Sequence, residues 1–476
     1  MRRTVGIILG PLLFIFIQVL TPTSEVLTSE IISVIALAAW MITWWISEAV
    51  PIPVTALLPI VVLPLLGIFT VTEATAPYAS PIIFLFMGGF MIALGLEKHN
   101  LHLRLALNLL KITGTSGNGI ILGFMLATAL LSMWISNTAT AVMMLPLATS
   151  VVALLSKRSD FAVTENKFAI SLMLCIAYSA NIGGTMTLIG TPPNVVMAGY
   201  LRQLLHIKVG FAEWMLIGIP TGLILLTCMY FLLTKVLFTN QLKTIDGSAQ
   251  MITSELNKLG KISKAEKLVL AIFALTTFGW IFKQQINVLF GGHLLTDHIT
   301  AMIGGILMFS TPIDLKRKEF LMNWEDTSRL PWGILLLFGG GMALANGLAE
   351  VGIIDLIGKF VSAQSGLQII ALTAIVTALV LILTEFMSNV ALVTILIPVI
   401  IGISQGLDIN PLILVVPATL ASSCAFMMPI STPPNAIVFS SGHIKMRDML
   451  KAGLLLNIIS IFILTLVCNY LVPMIL

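Results

Sequence analysis

The chain has 476 residues, of which 58% are hydrophobic and only 10% are charged. Soluble domains carry about 25% charged residues, so this composition excludes an ordinary soluble protein and predicts an integral membrane protein with many spans. The net charge of +4 is small, and the basic residues are scattered through the loops, which excludes the basic face that a nucleic-acid partner requires.

The first half of the chain alternates apolar runs with polar interruptions. A run of about 20 apolar residues is long enough to cross a bilayer as a helix. One stretch, 97–114, has apolar residues at helical spacing together with cations, and we expect it on the membrane surface. The predicted elements are spans near 5–20, 31–48, 53–70 and 81–97, the surface stretch at 97–114, an apolar pair within 118–156, a long segment at 168–205 and a span at 212–238.

The apolar pair within 118–156 surrounds a polar tip, Ser136-Asn137-Thr138. Its two arms are too short for two full spans, so we expect a re-entrant hairpin, which is tolerated at membrane depth only where it is buried in protein or lines a cavity. The segment at 168–205 contains Gly190-Thr191-Pro192-Pro193-Asn194. Two consecutive prolines remove two backbone donors and prevent a continuous helix. This segment is therefore predicted to be a broken helix.

The second half repeats the same order of elements after a hydrophilic linker at 241–267. Its polar tip, Ser388-Asn389-Val390, begins 252 residues after Ser136, and its Thr-Pro-Pro-Asn break begins at Thr432, 241 residues after Thr191. Matched landmarks in the same order predict an internal repeat over 31–240 and 268–476, with the first helix, 1–30, outside it. The second-half elements are spans near 268–283, 297–313 and 331–348, an amphipathic stretch at 350–362, a hairpin at 368–403, a broken helix at 410–443 and a last span at 452–475.

The distribution of basic residues predicts the orientation. With the N-terminus in the cytoplasm and each hairpin returning to its own side, all but four of the 25 Lys and Arg residues face the cytoplasm; the four are Arg202, Lys208, Lys283 and Lys359. This topology puts the C-terminus outside and opens the two hairpins to opposite faces of the membrane. The two repeats are then inverted, which is a transporter architecture.

The two tips and two breaks carry neutral polar groups at membrane depth. Helix N-termini at the breaks suit anions, whereas freed carbonyl and hydroxyl oxygens suit a hard cation such as sodium. Neither tip and neither break contains Arg or Lys, which favours a small, multi-oxygen anion as the ligand. The alternative is that these side chains only form hydrogen bonds across helices. The candidate side chains are Ser136, Asn137, Thr138, Thr191, Asn389 and Thr432.

Glu385, beside Thr384, is an ionisable residue at membrane depth and so a candidate functional residue. Pairing with a lysine of an adjacent helix is an equally good interpretation. The six histidines and four cysteines lack metal-ligand spacing. No metal cluster and no covalent cofactor is therefore expected.

At these residues the chain resembles the divalent anion/sodium symporter family, the INDY-type di- and tricarboxylate transporters. The resemblance covers essentially the whole length and rests on SNTAT at 136–140, GTPPN at 190–194, SNVAL at 388–392 and STPPNAIVFSSG at 431–442. It implies an all-α polytopic membrane protein with eleven transmembrane helices and two re-entrant hairpins. It also implies a homodimer in the lipid of the plasma membrane. A scaffold domain, about 1–115 and 268–362, would hold a transport domain, about 116–240 and 363–476, that moves as an elevator.

By the same resemblance, both tips and both breaks line the substrate site, and two sodium sites lie beside them. The implied substrate-binding residues are Ser136, Asn137, Thr138, Thr191, Pro192, Ser388, Asn389, Val390, Thr432 and Pro433. The implied sodium sites are Ser132, Ser136, Asn137 and Gly190 for the first, and Thr384, Ser388, Asn389 and Ser431 for the second. Val390 departs from the SNT tip common in the family, and the lost hydroxyl removes a possible substrate hydrogen bond of order 1 kcal/mol.

The sequence therefore predicts a secondary active transporter of C4-type dicarboxylates: succinate, malate, fumarate and, as a further candidate, 2-oxoglutarate. Sodium symport and dicarboxylate exchange both remain open as the driving reaction. One alternative keeps the fold and carries citrate, sulfate or another oxyanion. More distant alternatives are a channel and a membrane enzyme, although the chain lacks nucleophile–base and metal-ligand spacings.

Overall fold

A computed structural model gives the fold of residues 2–155, 162–240, 242–292, 294–362 and 368–476. These residues are almost entirely helical, and the only strands among them are β1 (Pro312–Asp314) and β2 (Glu319–Phe320), which pair antiparallel. A helix satisfies its own backbone hydrogen bonds, which is what a chain in lipid requires. The all-α membrane fold expected from composition is confirmed.

The first half contains twelve α-helices within the described residues, a 3₁₀ turn at Ala76–Ala79 and a π-helical end at Leu232–Leu237. Hydroxyl caps begin several of these helices; the Thr28 and Ser116 side chains accept hydrogen bonds from first-turn backbone N–H groups. The helices are α1 Arg2–Leu20, α2 Ser29–Ser47, α3 Ile52–Thr55, α4 Leu58–Leu65, α5 Val71–Thr75, α6 Pro81–Lys98, α7 Leu101–Ile112, α8 Gly117–Ser132, α9 Asn137–Leu155, α10 Ala162–Thr185, α11 Pro192–Leu205 and α12 Phe211–Phe231.

The linker and second half contain twelve more α-helices among the described residues, and a 3₁₀ helix at Trp324–Arg329. They are α13 Ser248–Lys258, α14 Lys264–Ile281, α15 Lys283–Leu289, α16 Asp297–Ser310, α17 Trp332–Glu350, α18 Ile353–Ser362, α19 Ile369–Thr384, α20 Asn389–Gly406, α21 Leu412–Ser422, α22 Pro433–Ser440, α23 Met446–Tyr470 and α24 Val472–Ile475. The linker that was predicted only as hydrophilic thus contains a helix, α13, which buries Ile252.

Over the described ranges, nine helices are long and apolar enough to cross a membrane, or ten if α14 and α15, which meet at 79°, form one broken span. The single span predicted near 53–70 is wrong in detail, because two short helices, α3 and α4, replace it. Pro59 has no N–H to donate to the Thr55 carbonyl four residues earlier, which ends the first helix at that point.

Both hairpins turn at their polar tips, but the tips are not loops. Asn137 is the first residue of α9 and Asn389 is the first residue of α20, so each tip forms the first turn of a helix. This makes α9 19 residues and α20 18 residues long, enough for a span. The prediction that both arms of the first hairpin are too short is therefore wrong for α9, and the reason is that the tip itself is helical.

The breaks lie before the proline pairs. Pro192 begins α11 and Pro433 begins α22, the helical position at which a missing N–H costs nothing. The interrupted backbone is therefore 186–191 in the first half and 423–432 in the second. The helix α10 leads into the first break; its residues 168–185 are all buried, and it packs against α8, α9 and α22.

Candidate functional site

A cavity of about 820 Å³ lies where the two tips and the two breaks meet. All ten residues predicted to bind substrate lie on its wall, together with Gly190 and Ser431. The tips are 252 residues apart in the chain, so the fold brings both halves to one place. The positions are thus as expected, while the role of each side chain stays a prediction.

Four helices begin at this cavity: α9 at Asn137, α11 at Pro192, α20 at Asn389 and α22 at Pro433. Ser136 caps α9, since its hydroxyl accepts from the Ala139 N–H at 3.2 Å and its carbonyl from the Thr140 N–H at 3.0 Å. The first N–H groups of a helix have no partner within the helix, and the helix dipole is positive there. The positive ends of four helix dipoles therefore lie at the cavity without a basic side chain in any tip or break, although the first two residues of α11 and α22 are prolines and have no N–H to donate.

A buried hydroxyl stands behind each tip asparagine. Ser132 Oγ lies 2.6 Å from Asn137 Oδ1 and 2.7 Å from the Ala180 carbonyl oxygen. In the second half Thr384 Oγ1 lies 2.9 Å from Asn389 Oδ1 and 2.5 Å from the Ser422 carbonyl oxygen. A hydroxyl has one proton and donates to one acceptor at a time. In each half, one of the two oxygen neighbours of the hydroxyl therefore faces it without a proton between the two oxygen atoms.

Two glycines allow the first tip to approach the first break. A Cβ atom on Gly184 would lie 2.5 Å from Asn137 Oδ1, and one on Gly190 would lie 2.5 Å from the Gly184 carbonyl oxygen. At Gly190 the obstacle is backbone, so glycine is needed there for close backbone approach, whereas at Gly184 the obstacle is the Asn137 amide, which a methyl group would displace. Sequence reasoning included Gly190 and missed Gly184.

The asparagine that follows each proline pair closes the loop of its own break. Asn194 Nδ2 donates to the Thr187 carbonyl at 2.8 Å, and Asn435 Nδ2 donates to the Ala425 carbonyl at 2.9 Å and the Met428 carbonyl at 3.0 Å. Both side chains are fully buried. They hold the broken backbone in shape rather than face the cavity.

Asn181 of α10 lies on the cavity wall and was not predicted. Its amide donates to Thr432 Oγ1 at 3.1 Å and to the Ala425 carbonyl at 3.3 Å. A residue of the first half thereby holds a predicted substrate-binding hydroxyl of the second. The signal in the sequence was a lone asparagine in the apolar run Ser171–Gly184.

Glu385 is 2% exposed, and its partners among the described residues are neutral groups rather than a lysine. Its carboxylate accepts hydrogen bonds at 2.9–3.0 Å from the backbone N–H groups of Phe426, Met427 and Met428, the Asn457 amide and the Ser431 hydroxyl. The carboxylate thus lies against the second break, in the loop between α21 and α22.

Three charged side chains are found among the described residues on the cavity wall. Of the described residues on its wall, Arg329 is the one cation, and it pairs with Glu97 at 3.2 Å; Glu48 lies on the same wall. The interior around the tips is neutral. A ligand at the tips would meet hydroxyl, amide and backbone groups together with apolar side chains such as Val390.

Comparison with known proteins agrees with this architecture. Residues 4–476 match the model of the family described as the sodium:sulfate symporter transmembrane region. The chain belongs to this family. The match spans nearly the whole chain, so the resemblance read from the tips and breaks is confirmed, and with it membership in a family of secondary transporters.

Relatives of this family member carry a common name. It is 39% identical over 477 residues to the sodium-dependent dicarboxylate transporter SdcS of Staphylococcus saprophyticus, covering 99% of this chain and 92% of the relative. SdcS of Staphylococcus aureus strain USA300 is also 39% identical, over 479 residues, covering 100% of this chain and 92% of that protein. Among solved structures, the Neisseria gonorrhoeae protein MtrF, described as illuminating a class of antimetabolite efflux pumps, matches with a TM-score of 0.59 at 10% identity. That match covers 98% of this chain and 94% of the other, and it supports the fold alone.

Proposed function

We propose that this family member carries C4-type dicarboxylates such as succinate, malate and fumarate, with 2-oxoglutarate as a further candidate, coupled to sodium. The observation that carries the proposal is the convergence of four helix N-termini and two tip asparagines on one cavity. Helix N-termini stabilise carboxylates, and an asparagine amide donates to them. The names of the relatives, sodium-dependent dicarboxylate transporters, agree with this chemistry.

The duplicated tips fit a ligand with two acidic ends. One carboxylate would lie at the Asn137 tip and the α11 N-terminus, and the other at the Asn389 tip and the α22 N-terminus. Ser136, Thr138, Thr191, Ser388 and Thr432 supply further donors on the same wall. A cavity of about 820 Å³ exceeds the volume of a four-carbon diacid, so water or a rearrangement fills the remaining space.

The oxygen clusters behind the tips fit coupling cations. Ser132 Oγ and Thr384 Oγ1 each have two oxygen neighbours and only one proton to donate. At each hydroxyl, one neighbouring oxygen therefore has no proton between it and the hydroxyl oxygen. A sodium ion bound between such oxygens would stabilise the cluster, because hydroxyl, amide and carbonyl oxygens are ligands for hard cations. We assign one cation to Ser132, Ser136, Asn137 and the Gly190 carbonyl. A second is assigned to Thr384, Ser388, Asn389 and the Ser431 carbonyl.

The predicted topology indicates which side the cavity opens to. The charged residues on its wall, Glu48, Glu97 and Arg329, lie at helix ends that this topology places in the cytoplasm. A separate crevice of about 880 Å³ is lined by Arg202 and His206, which the same topology places outside. We infer an inward-facing state in the cell membrane, with a cytoplasmic N-terminus and an outside C-terminus. Alternating access would follow from elevator movement of the transport domain in a lipid-embedded homodimer.

Uptake of labelled succinate into proteoliposomes tests the proposal. Four conditions, with and without an inward sodium gradient and with and without internal dicarboxylate, separate symport from exchange. We expect uptake that depends on the sodium gradient. Uptake in none of the four conditions would reject the substrate class, and uptake driven only by internal dicarboxylate would replace symport by exchange.

A second cargo follows from the family description, which names sulfate. Sulfate is a small dianion, and helix N-termini would also bind it. Unlabelled sulfate, citrate and fumarate, added in excess to the labelled succinate, distinguish the cases. We expect fumarate to compete and sulfate not to compete, because the two tips match two separate carboxylates.

A further inference from the structure

We propose that Glu385 is a positioning residue: its carboxylate holds the second break in the shape that presents Ser431 and Thr432 to the cavity. This inference rests on the proposed function for its effect on transport. Its structural part stands on the hydrogen bonds of the carboxylate alone.

The carboxylate has no free site left for a cation. An ionised carboxylate offers about four lone-pair sites. Four N–H groups donate to Glu385 at 2.9–3.0 Å, three from the backbone of 426–428 and one from Asn457, and the Ser431 hydroxyl lies at 3.0 Å from Oε2. The geometry is that of an anion bound by its own protein, so Glu385 acts on a cation site through Ser431 rather than as a ligand.

The carboxylate is the acceptor for a run of backbone donors in the second break. Three consecutive N–H groups, from Phe426, Met427 and Met428, point to one carboxylate. Phe426 is buried, and its N–H would otherwise be a buried donor without a partner, which costs about 1–3 kcal/mol; the N–H groups of Met427 and Met428 are partly buried. Ser431 Oγ also lies 2.5 Å from the Met428 carbonyl oxygen. The carboxylate and Ser431 together therefore fix the loop immediately before Pro433.

In the first half, the group that contacts the break from this position is uncharged. The residue after Ser132 is Met133, as the residue after Thr384 is Glu385. There the Met133 backbone carbonyl accepts a hydrogen bond from the Thr187 hydroxyl of the first break. The halves are thus alike in their tips and unlike in what holds their breaks. Loss of the carboxylate should therefore affect one break and spare the other.

Hydrogen–deuterium exchange on the full-length protein in lipid nanodiscs, without sodium or dicarboxylate, tests the structural part. In Glu385→Gln the new NH₂ group faces backbone donors, so the amides of 426–428 should exchange about tenfold faster or more. The amides of 186–191 in the first break serve as the internal control and should not change. Glu350→Gln makes the same chemical change outside this network and should leave both breaks as in the wild type.

Transport tests the consequence. In Glu385→Gln the sodium concentration for half-maximal uptake should rise about tenfold, with little change in the dicarboxylate KM at saturating sodium. Glu385→Asp, which keeps the charge, should recover part of the sodium response. Asn457→Leu removes one donor and keeps the carboxylate. It should raise the sodium concentration for half-maximal uptake by less than Glu385→Gln does. These two variants also carry the test if Glu385→Gln does not fold.

Equal acceleration of exchange at both breaks, or none at 426–428, would overturn the proposal. So would a lower kcat with an unchanged sodium response. If the wild type carries no dicarboxylate, the exchange experiment still decides whether Glu385 holds the break, and only the proposed function fails.

Discussion

Asn181 Nδ2 donates to Thr432 Oγ1 over 3.1 Å and joins residues that are 251 positions apart in the chain. Asn181 belongs to the buried part of α10 in the first half, and Thr432 immediately precedes the proline pair of the second. Through this bond both halves of the chain contribute to the wall of the cavity. Asn181, which lies outside the tips and breaks, thus sets the orientation of Thr432, a predicted substrate-binding residue.

Asn181→Leu should raise the dicarboxylate KM about fivefold, the effect of one lost hydrogen bond of about 1 kcal/mol. Thr432 would lose its fixed orientation while the tips stay in place, so kcat should change less. The measurement is initial uptake against substrate concentration in proteoliposomes. Asn469→Leu is the matched control, since the Asn469 amide donates only within its own helix to the Thr465 carbonyl. A KM equal to that of the control would show that Asn181 does not shape the site.

Gly184→Ala should reduce transport about tenfold or more, because the added methyl would lie 2.5 Å from Asn137 Oδ1 and displace that amide. Size-exclusion chromatography and thermal unfolding check that the variant inserts and folds. Gly292→Ala is the control, where the nearest atom to the new methyl is 3.7 Å away. Wild-type uptake by Gly184→Ala would mean that the position of Asn137 is unimportant.

Thr384→Val keeps the shape of the side chain and removes the oxygen that lies between Asn389 Oδ1 and the Ser422 carbonyl. We expect a severalfold rise in the sodium concentration for half-maximal uptake and a smaller change in substrate KM. Thr377→Val, two turns earlier in α19, is the matched control, because Thr377 Oγ1 donates only to the Thr373 carbonyl. The cation assignment would be wrong if the two variants gave the same sodium curve.

Val390→Thr adds a hydroxyl to the second tip at the place that Thr138 occupies in the first. Val390 lies on the cavity wall, so the hydroxyl is expected to donate to bound carboxylate and lower the substrate KM up to about fivefold. Val393→Thr adds a hydroxyl to the same helix at a buried position. Competition curves with unlabelled succinate compare the two. An unchanged KM in Val390→Thr would place the substrate away from this tip.

The parts of the site that could be predicted from the sequence are those that a short local motif encodes. Polar tips such as Ser136-Asn137-Thr138 stand out in apolar runs, and a proline pair such as Pro192-Pro193 interrupts a helix wherever it occurs. Their repetition predicted that the two sets would meet. The break of 53–70 was missed because the apolar run masks the effect of Pro59, and the helical start of the tips was missed because Ser136 acts as a cap.

The remaining contacts depend on long-range packing that no local pattern contains. Gly184 matters only because the Asn137 amide lies against it, and Asn181 only because Thr432 comes within 3.1 Å. Glu385 was recognised as unusual from its depth, but its neutral partners come from a loop about 40 residues later and from α23. The division into scaffold and transport domains also stays a prediction, since it concerns a movement.

Binding of succinate to the purified protein tests the central claim most directly. Isothermal titration calorimetry in sodium and in potassium buffer would compare the wild type with Asn137→Ala and Asn389→Ala. We predict saturable binding by the wild type in sodium, much weaker binding in potassium, and none by either folded variant. Wild-type binding by either variant would contradict a cavity in which both tips hold the dicarboxylate.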